Sequence, residues 1–255
     1  MGSLSGLDPV TLKAGLLLVF SAVVLVVLLI LRGRGRRAVE IRPLSAFRDL
    51  QADMGEAAES GDTIHIALGT GGIDGPEAVI SLAGFEVLEA VAGDLVSYYT
   101  PPVVTVGDPT LLFLAQDVMR RAYERRGLAD LYDPTRVRFV APTPLAYAAG
   151  TSQIVATDDL TASVLVGAFG SEVSLIADAG RRQRLPHMAA MATADAVGAL
   201  YPVVADMAIG EEMFSAGAQV TGRNRSLAGL AAQDVVRVVL VAAILLSGLS
   251  AFLRG

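Results

Sequence analysis

The sequence predicts an α/β fold with a mainly parallel sheet, flanked at both ends by hydrophobic helices. Short apolar runs alternate with helical periodicity through the middle of the chain, glycine and proline mark several of their junctions, and strongly apolar runs lie near both ends. Alternating strands and helices are typical of βαβ units, in which helices cover both faces of the sheet. We therefore predict a Rossmann-like three-layer domain over residues 62–209, between two transmembrane helices.

The first hydrophobic run covers residues 14–31, which are 18 residues without a charge. About 20 apolar residues cross a bilayer core. The basic stretch RGRGRR follows the run directly, whereas a signal peptide carries its charges before the apolar segment. The pattern predicts an uncleaved transmembrane helix that follows an outer tail, residues 1–13.

The second hydrophobic run covers residues 235–253 and is interrupted by Arg237. A long arginine side chain near a helix end can extend to the membrane interface. We predict a second transmembrane helix here, with a buried or interfacial C-terminal helix as the alternative.

Arginines crowd the inner flanks of both runs, where residues 32–61 form a basic juxtamembrane segment with an amphipathic helix and residues 210–234 lead back to the membrane. The positive-inside rule places basic loops in the cytoplasm. The sequence thus predicts a multi-pass protein of the cell (inner) membrane with a cytoplasmic central domain and both termini outside.

The elements between the anchors are predicted in the following order. There is an amphipathic helix within 43–60, a strand at 63–68, a helix from 76 to about 99, a strand at 101–107, a helix from 109 to 126, a strand at 136–141, a helix from 144 to about 150, two strand-like runs at 162–170 and 173–180, and a helical stretch over 188–206.

A glycine-rich loop after the first strand is the leading candidate for a ligand site, and its residues are Gly69, Thr70, Gly71, Gly72, Asp74 and Gly75. Strand, glycines and helix are the context in which backbone amides bind phosphate. Asp74, however, stands where the third glycine of the dinucleotide fingerprint belongs, and a carboxylate there repels phosphate while serving as a helix N-cap. The alternative is that the glycines supply the positive φ angles of a tight corner.

Two further positions could complete a cleft at the carboxyl ends of the strands. Asp108 follows the second strand, where Rossmann folds place an acid for ribose hydroxyls, although it fits an N-cap equally well, as does Asp133 in a similar Asp-Pro-Thr sequence. Gly167 and Gly170 lie in the stretch that ends at Glu172, which could alternatively be a hairpin turn. No cofactor is predicted, and a nucleotide is the ligand left open for this cleft.

Several classes of chemistry are disfavoured. The chain has no cysteine, its only lysine is Lys13, and it has two histidines, of which His65 lies inside a predicted strand where a core role is expected. A phosphate loop of the G-K-[ST] type is therefore absent, and no catalytic or metal site is predicted. Between residues 43 and 222 there are 23 acidic residues and 10 arginines, a formal charge of −13, which opposes nucleic-acid binding.

Six blocks follow one another along the chain: IHIALGTGGIDG, SLAGFEVLEAVA, TPPVVTVGDPTLLFLAQDVMRRAY, VRFVAPTPLAYAAG, VLVGAFGSE and IGEEMFSAGA. Together they cover most of residues 41–222 and resemble an uncharacterised family, the domain of unknown function 6754. The resemblance implies a membrane-associated bacterial protein. It supplies no catalytic residue, so the predicted architecture rests on the residue pattern.

Because no complete catalytic constellation is found, the leading hypothesis is a non-enzymatic, membrane-anchored scaffold whose α/β domain self-associates into a homo-oligomer. The lipid bilayer and other copies of the chain are its expected partners. One alternative is a sensor or enzyme that binds a nucleotide or phosphometabolite in the strand-edge cleft. Another is an accessory subunit of a larger membrane transport complex.

Overall fold

The computed structural model describes residues 44–204 and 207–215. The helices in these ranges are α1 (Ser45–Ser60), α2 (Ala78–Leu95), α3 (Pro109–Arg125), α4 (Pro144–Thr157), α5 (Val173–Gln183) and α6 (Ala194–Leu200). The strands are β1 (Thr63–Gly69), β2 (Val103–Val106), β3 (Val137–Phe139), β4 (Leu160–Ala168), β5 (His187–Met191) and β6 (Met207–Ile209), and the 3-10 segment Gly210–Ser215 follows β6.

The six strands form one parallel sheet in the order β3-β2-β1-β4-β5-β6. The chain first moves outward from β1 to β3 and then returns to build the other half from β4 to β6. This is the strand order of the Rossmann fold, in which ligands bind where the order reverses, outside the carboxyl ends of the two central strands. The predicted α/β class is confirmed, and the reversal point lies between β1 and β4.

Each face of the sheet carries its own apolar core. The α1 face holds α1, α2 and α3 against side chains such as Ile66, Val104 and Val164. The α4 face holds α4, α5 and α6 against alternate residues of the same strands, including Ala67 and Leu165. The sheet is thus the middle of three layers, and its central strands are apolar on both sides, as buried parallel strands are.

Helix α1 covers the part of one sheet face that the crossover helices leave uncovered. Right-handed crossovers place α2 and α3 over β1–β3 on one face, and α5 and α6 over β4–β6 on the other. Helix α1 buries Phe47, Leu50, Met54 and Ala57, which recur at helical spacing, in the core of the α1 face together with Met188 of β5. Met213 of the 3-10 segment is buried in the same core. The described chain therefore begins and ends on one face of the sheet.

Three elements differ from the sequence predictions, one of which is strand β6 (Met207–Ile209), which was not predicted. Residues 173–180 form helix α5 instead of a strand, and the residues it buries, Val173, Ile176, Ala177 and Gly180, have helical spacing. Residues 187–191 form strand β5, although the stretch from 188 was predicted helical because methionine and alanine favour helices. Burial between two layers decides the outcome here, since short apolar runs are ambiguous by pattern alone.

The ranges 44–204 and 207–215 contain no helix with the length and apolarity needed to span a bilayer. The predicted spans at 14–31 and 235–253 lie outside the described residues, as do the outer tail and most of the basic flanks.

Candidate functional site

The predicted ligand-site residues come together at the carboxyl ends of β1, β2 and β4. The carbonyl of Gly69 accepts a hydrogen bond from Gly107 N at 2.8 Å, which ties the end of β1 to the end of β2. Thr70 N donates to Ala168 O at 3.1 Å, which ties it to the end of β4. The residue after β4 leads into helix α5, so the hairpin alternative for Gly167–Glu172 is wrong.

The glycines at β1 and β4 are explained by close packing of the two strands. Gly69 has φ +79° and Gly167 has φ +139°. A Cβ on Gly69 would lie 2.1 Å from the carbonyl oxygen of Ala168, and a Cβ on Gly167 would lie 2.1 Å from that of Leu68. No side chain fits at either position. These two glycines are therefore required by the backbone itself, whatever the cleft binds.

The glycine loop is longer than a phosphate-binding turn. Eight residues, 70–77, separate β1 from α2, and the helix begins at Ala78 with Glu77 at its N-cap. Gly71 is buried, and its carbonyl accepts a hydrogen bond from Ser81 Oγ at 2.9 Å, which fixes the loop against α2. Gly75 is exposed, with open space where a Cβ would stand.

The two aspartates predicted at helix starts have different roles. Asp108 caps α3, since its Oδ1 accepts from Thr110 N at 2.7 Å. Asp74 is not an N-cap, because α2 begins three residues later than a cap at that position requires, and its exposed side chain lies beside Gly72. A Cβ on Gly72 would also lie 3.4 Å from Asp108 Oδ2. Loop and cap thus meet, and both bring negative charge.

A cleft of about 430 Å³ opens beside this junction. Thr70 and Gly170 of the predicted set line it. Ala168, Phe169 and Glu172 line it as well, and all three belong to the predicted stretch Gly167–Glu172. The lining residues that the sequence did not indicate are Glu77, Pro142, Pro144, Thr193 and Asp195. Thr193 and Asp195 come directly after β5, so a correct assignment of that strand would have indicated them.

The charges of the cleft are of one sign. Glu77 and Glu172 stand at the starts of α2 and α5, and Asp195 is in the first turn of α6. Helix N-termini attract anions, and here carboxylates of the chain itself lie at them. Glu172 Oε1 accepts from Gly170 N at 2.8 Å, so one backbone amide that could hold a phosphate is already used. No arginine, lysine or histidine of the described residues lines the cleft. The arrangement disfavours phosphate and suits a neutral or cationic group.

A buried polar chain supports the cleft from below. His65 is fully buried in β1, and its ring nitrogens lie 3.0 Å from Ser163 Oγ and 3.0 Å from Thr105 Oγ1. Burial lowers the pKa of His65 to about 3, so the ring is neutral. The expected core role of His65 is confirmed.

Tyr147 of α4 carries the polar chain to the glycine loop. Its hydroxyl donates to Thr105 O at 3.1 Å, lies 3.0 Å from Thr105 Oγ1, and is 3.4 Å from Gly69 N. The His65 ring and the hydroxyls of Thr105 and Tyr147 therefore form one buried hydrogen-bonded chain. Burial raises the pKa of Tyr147 to about 12, which keeps the donor in place. The network fixes α4 to the end of β1.

The sequence as a whole decides the family. The model of a family described as a domain of unknown function (DUF6754) matches residues 10–254. The chain belongs to this DUF6754 family. The match spans nearly the whole chain, so the cleft and the α/β domain are both within the family region. No curated protein and no solved structure matches the chain.

Within the described part of this DUF6754 chain, no group of three or more His, Cys, Asp or Glu side chains has the arrangement of a metal site.

Proposed function

We propose that the protein is a membrane-anchored, non-enzymatic assembly protein whose cytoplasmic α/β domain self-associates into a homo-oligomer. The distribution of exposed apolar side chains supports this proposal. Of the twelve large hydrophobic side chains that are exposed in the described residues, eight lie at the carboxyl edge of the sheet, at a strand end, in a following loop or at a helix start. They are Ile73, Val79, Leu82, Phe113, Phe139, Leu145, Leu175 and Ile209.

The side chains on α2 and α3 form the part of this edge that suits a second copy. Val79 and Leu82 are three residues apart and so lie on one side of α2, and Phe113 is on α3, which packs beside α2. Ile73 precedes them in the glycine loop. We name these four residues the carboxyl-edge patch. Large apolar patches are uncommon on monomeric proteins, and anchoring in one membrane raises the effective concentration of copies for one another.

Light scattering of the full-length chain in mild detergent tests self-association. We expect a mass of two or more chains, and we expect Leu82→Glu to lower it towards one chain because a charge in an apolar interface is costly. Leu131→Glu is the matched control, since Leu131 is 55% exposed and Leu82 is 53% exposed, but Leu131 lies at the opposite edge. A single-chain mass for the unaltered protein would remove the proposal.

The membrane arrangement is a separate part of the proposal. It is supported by the apolar runs at 14–31 and 235–253 and by the arginines on their inner flanks. The chain has no cysteine, so single cysteines report topology without a background. We expect Ser3→Cys to be labelled by an impermeant thiol reagent on intact bacterial cells and Leu131→Cys to be labelled only after lysis. The reverse pattern would invert the orientation.

A second function, binding of a small ligand in the cleft, is supported by the position of the cleft at the reversal point of the sheet. Its acids favour a cationic ligand over a nucleotide or sugar phosphate. A thermal-shift comparison of nucleotides, sugar phosphates and small amines tests it. Stabilisation by an amine that is lost in Glu172→Gln would support this function, and stabilisation by a phosphate compound would contradict the charge argument.

A further inference from the structure

A second cavity, of about 420 Å³, lies at the amino edge of the sheet, which is the edge opposite to the cleft. Its walls come from α1, from the end of α5, from the start of β5 and from the segment before β6. Helix α1 contributes Asp49 and Asp53, which are one helical turn apart, and the end of α5 contributes Arg181 and Arg184. Because α1 and α5 lie on opposite faces of the sheet, acids and arginines enter the cavity from different sides.

These opposite charges do not pair with each other. Among the described residues, neither Asp49 nor Asp53 forms an ion pair, and neither does Arg184, whereas Arg181 pairs with Asp178 of its own helix. The volume between them is open.

The carboxylate of Asp53 destabilises the ligand-free protein. Its side chain is half-buried and accepts no hydrogen bond from the described residues. Burial, together with repulsion by Glu56 and Asp49, raises the pKa of this carboxyl to about 6. A carboxylate is normally buried only beside a cation or hydrogen-bond donors, so a bound cation would remove this cost.

Arg184 destabilises the ligand-free protein for a different reason, which is its backbone conformation. It ends α5 with φ +60°, in a turn where Leu185 N donates to Gly180 O and Arg184 N donates to Arg181 O. This is a Schellman turn, whose left-handed position is usually glycine because a Cβ is strained there. The sequence places a charged side chain at that position, beside the cavity.

The remaining lining is mostly apolar and includes Leu185, Met188, Val203 and Val204. The cavity thus offers carboxylates, a guanidinium and an apolar wall, and each suits one part of the same small molecule. We propose that this cavity binds a free α-amino acid with an apolar side chain, its ammonium group at Asp49 and Asp53 and its carboxylate at Arg184. None of these residues belongs to the carboxyl-edge patch, so binding at this cavity does not depend on self-association.

Calorimetric titration of the full-length chain in mild detergent with leucine tests this site. We expect leucine to bind, and we expect the corresponding amine without the carboxylate and the acid without the ammonium each to bind about tenfold more weakly or worse, because each loses a charged hydrogen-bond partner. Failure of all twenty amino acids to bind at millimolar concentration would overturn the proposal.

Variants separate binding from folding. Arg184→Gly should raise the melting temperature by relieving the left-handed strain and should also weaken leucine binding about tenfold or more. Asp53→Asn should likewise raise the melting temperature at pH 7 and weaken binding. Arg182→Gln, which changes an exposed neighbour that pairs with Asp178, is the control and should leave binding unchanged.

Two results from these variants would contradict the site. Arg184→Gly and Asp53→Asn could bind leucine as tightly as the unaltered chain. Alternatively, a double-mutant cycle in the ligand-free protein could show a favourable coupling between Asp53 and Arg184, which would mean that the two residues pair with each other and need no ligand.

Discussion

The two edges of the sheet differ in how their polar and charged groups are paired. At the carboxyl edge, where Rossmann folds bind ligands, the strand ends are joined by Gly69 and Gly167, the loop is bonded to α2, and the charges of the cleft are all negative. At the amino edge, Asp53 and Arg184 line one cavity without ion-pair partners among the described residues. A site at the carboxyl edge is supported by its position in the fold, whereas the site that we propose at the amino edge is supported by the balance of unpaired charge.

The largest expected effect tests whether the carboxyl-edge glycines are structural. Gly167→Ala should destabilise the protein by more than about 3 kcal/mol, because its Cβ would lie 2.1 Å from Leu68 O at a φ of +139°. Gly75→Ala, which meets open space, should change stability by less than about 0.5 kcal/mol. Chemical denaturation measures both. Similar values for the two variants would show that the strands can separate to admit a side chain.

The buried polar chain of His65, Thr105 and Tyr147 should contribute less to the free energy of unfolding than the close contact between β1 and β4 does. Tyr147→Phe removes the hydroxyl that donates to Thr105 O and lies near Gly69 N, and we expect a loss of about 1–2 kcal/mol. Tyr201→Phe, which changes an exposed tyrosine, is the control. An unchanged denaturation midpoint for Tyr147→Phe would mean that the loop does not depend on this network.

At the amino edge the sign of the effect should reverse. Arg184→Gly should stabilise the ligand-free protein by about 1 kcal/mol, since glycine adopts the left-handed conformation without a Cβ clash. The same change at Arg182, inside α5, should destabilise by about 1 kcal/mol because glycine disfavours helix. Denaturation curves of the pair check the prediction, and equal signs for the two changes would contradict it.

The smallest effect is expected at Asp53 and depends on pH. Its pKa is raised from 3.8 to about 6 in the folded state, so the folded protein binds more protons than the unfolded chain between these values, and stability falls as pH rises through this window. Asp53→Asn should remove that fall and stabilise at pH 7 by up to about 1 kcal/mol, allowing for solvent screening of a half-exposed group. Denaturation at pH 4 and pH 7 measures the difference. Parallel pH profiles for the variant and the unaltered chain would refute the prediction.

Much of the architecture could be predicted because local patterns and burial agree. β1 and β2 are apolar runs with clear glycine or proline boundaries, and the Asp-Pro-Thr sequence at Asp108 specifies the start of α3. The pattern failed at α5 and β5, where Val173 and Ile176 can be read as strand and Met188 as helix, and only packing between layers decides.

The site could be predicted only in part. Glycines at strand ends predict where loops converge, so Thr70 and Gly170 were found as lining residues of the cleft. Glu172 lies in the predicted stretch, whereas Glu77 caps a helix that begins later than predicted and Asp195 follows β5, which was assigned wrongly. No sequence pattern near Asp53 or Arg184 indicates the amino-edge cavity, because the two residues line one cavity only through the packing of α1 against a face of the sheet.

Disulfide crosslinking tests most directly whether the carboxyl edge is the surface through which copies associate. The chain has no cysteine, so Leu82→Cys and Leu131→Cys place one thiol each at the carboxyl and amino edges. On mild oxidation in the membrane, we expect disulfide-linked dimers for Leu82→Cys and single chains for Leu131→Cys. Dimers formed through Leu131→Cys alone would contradict it.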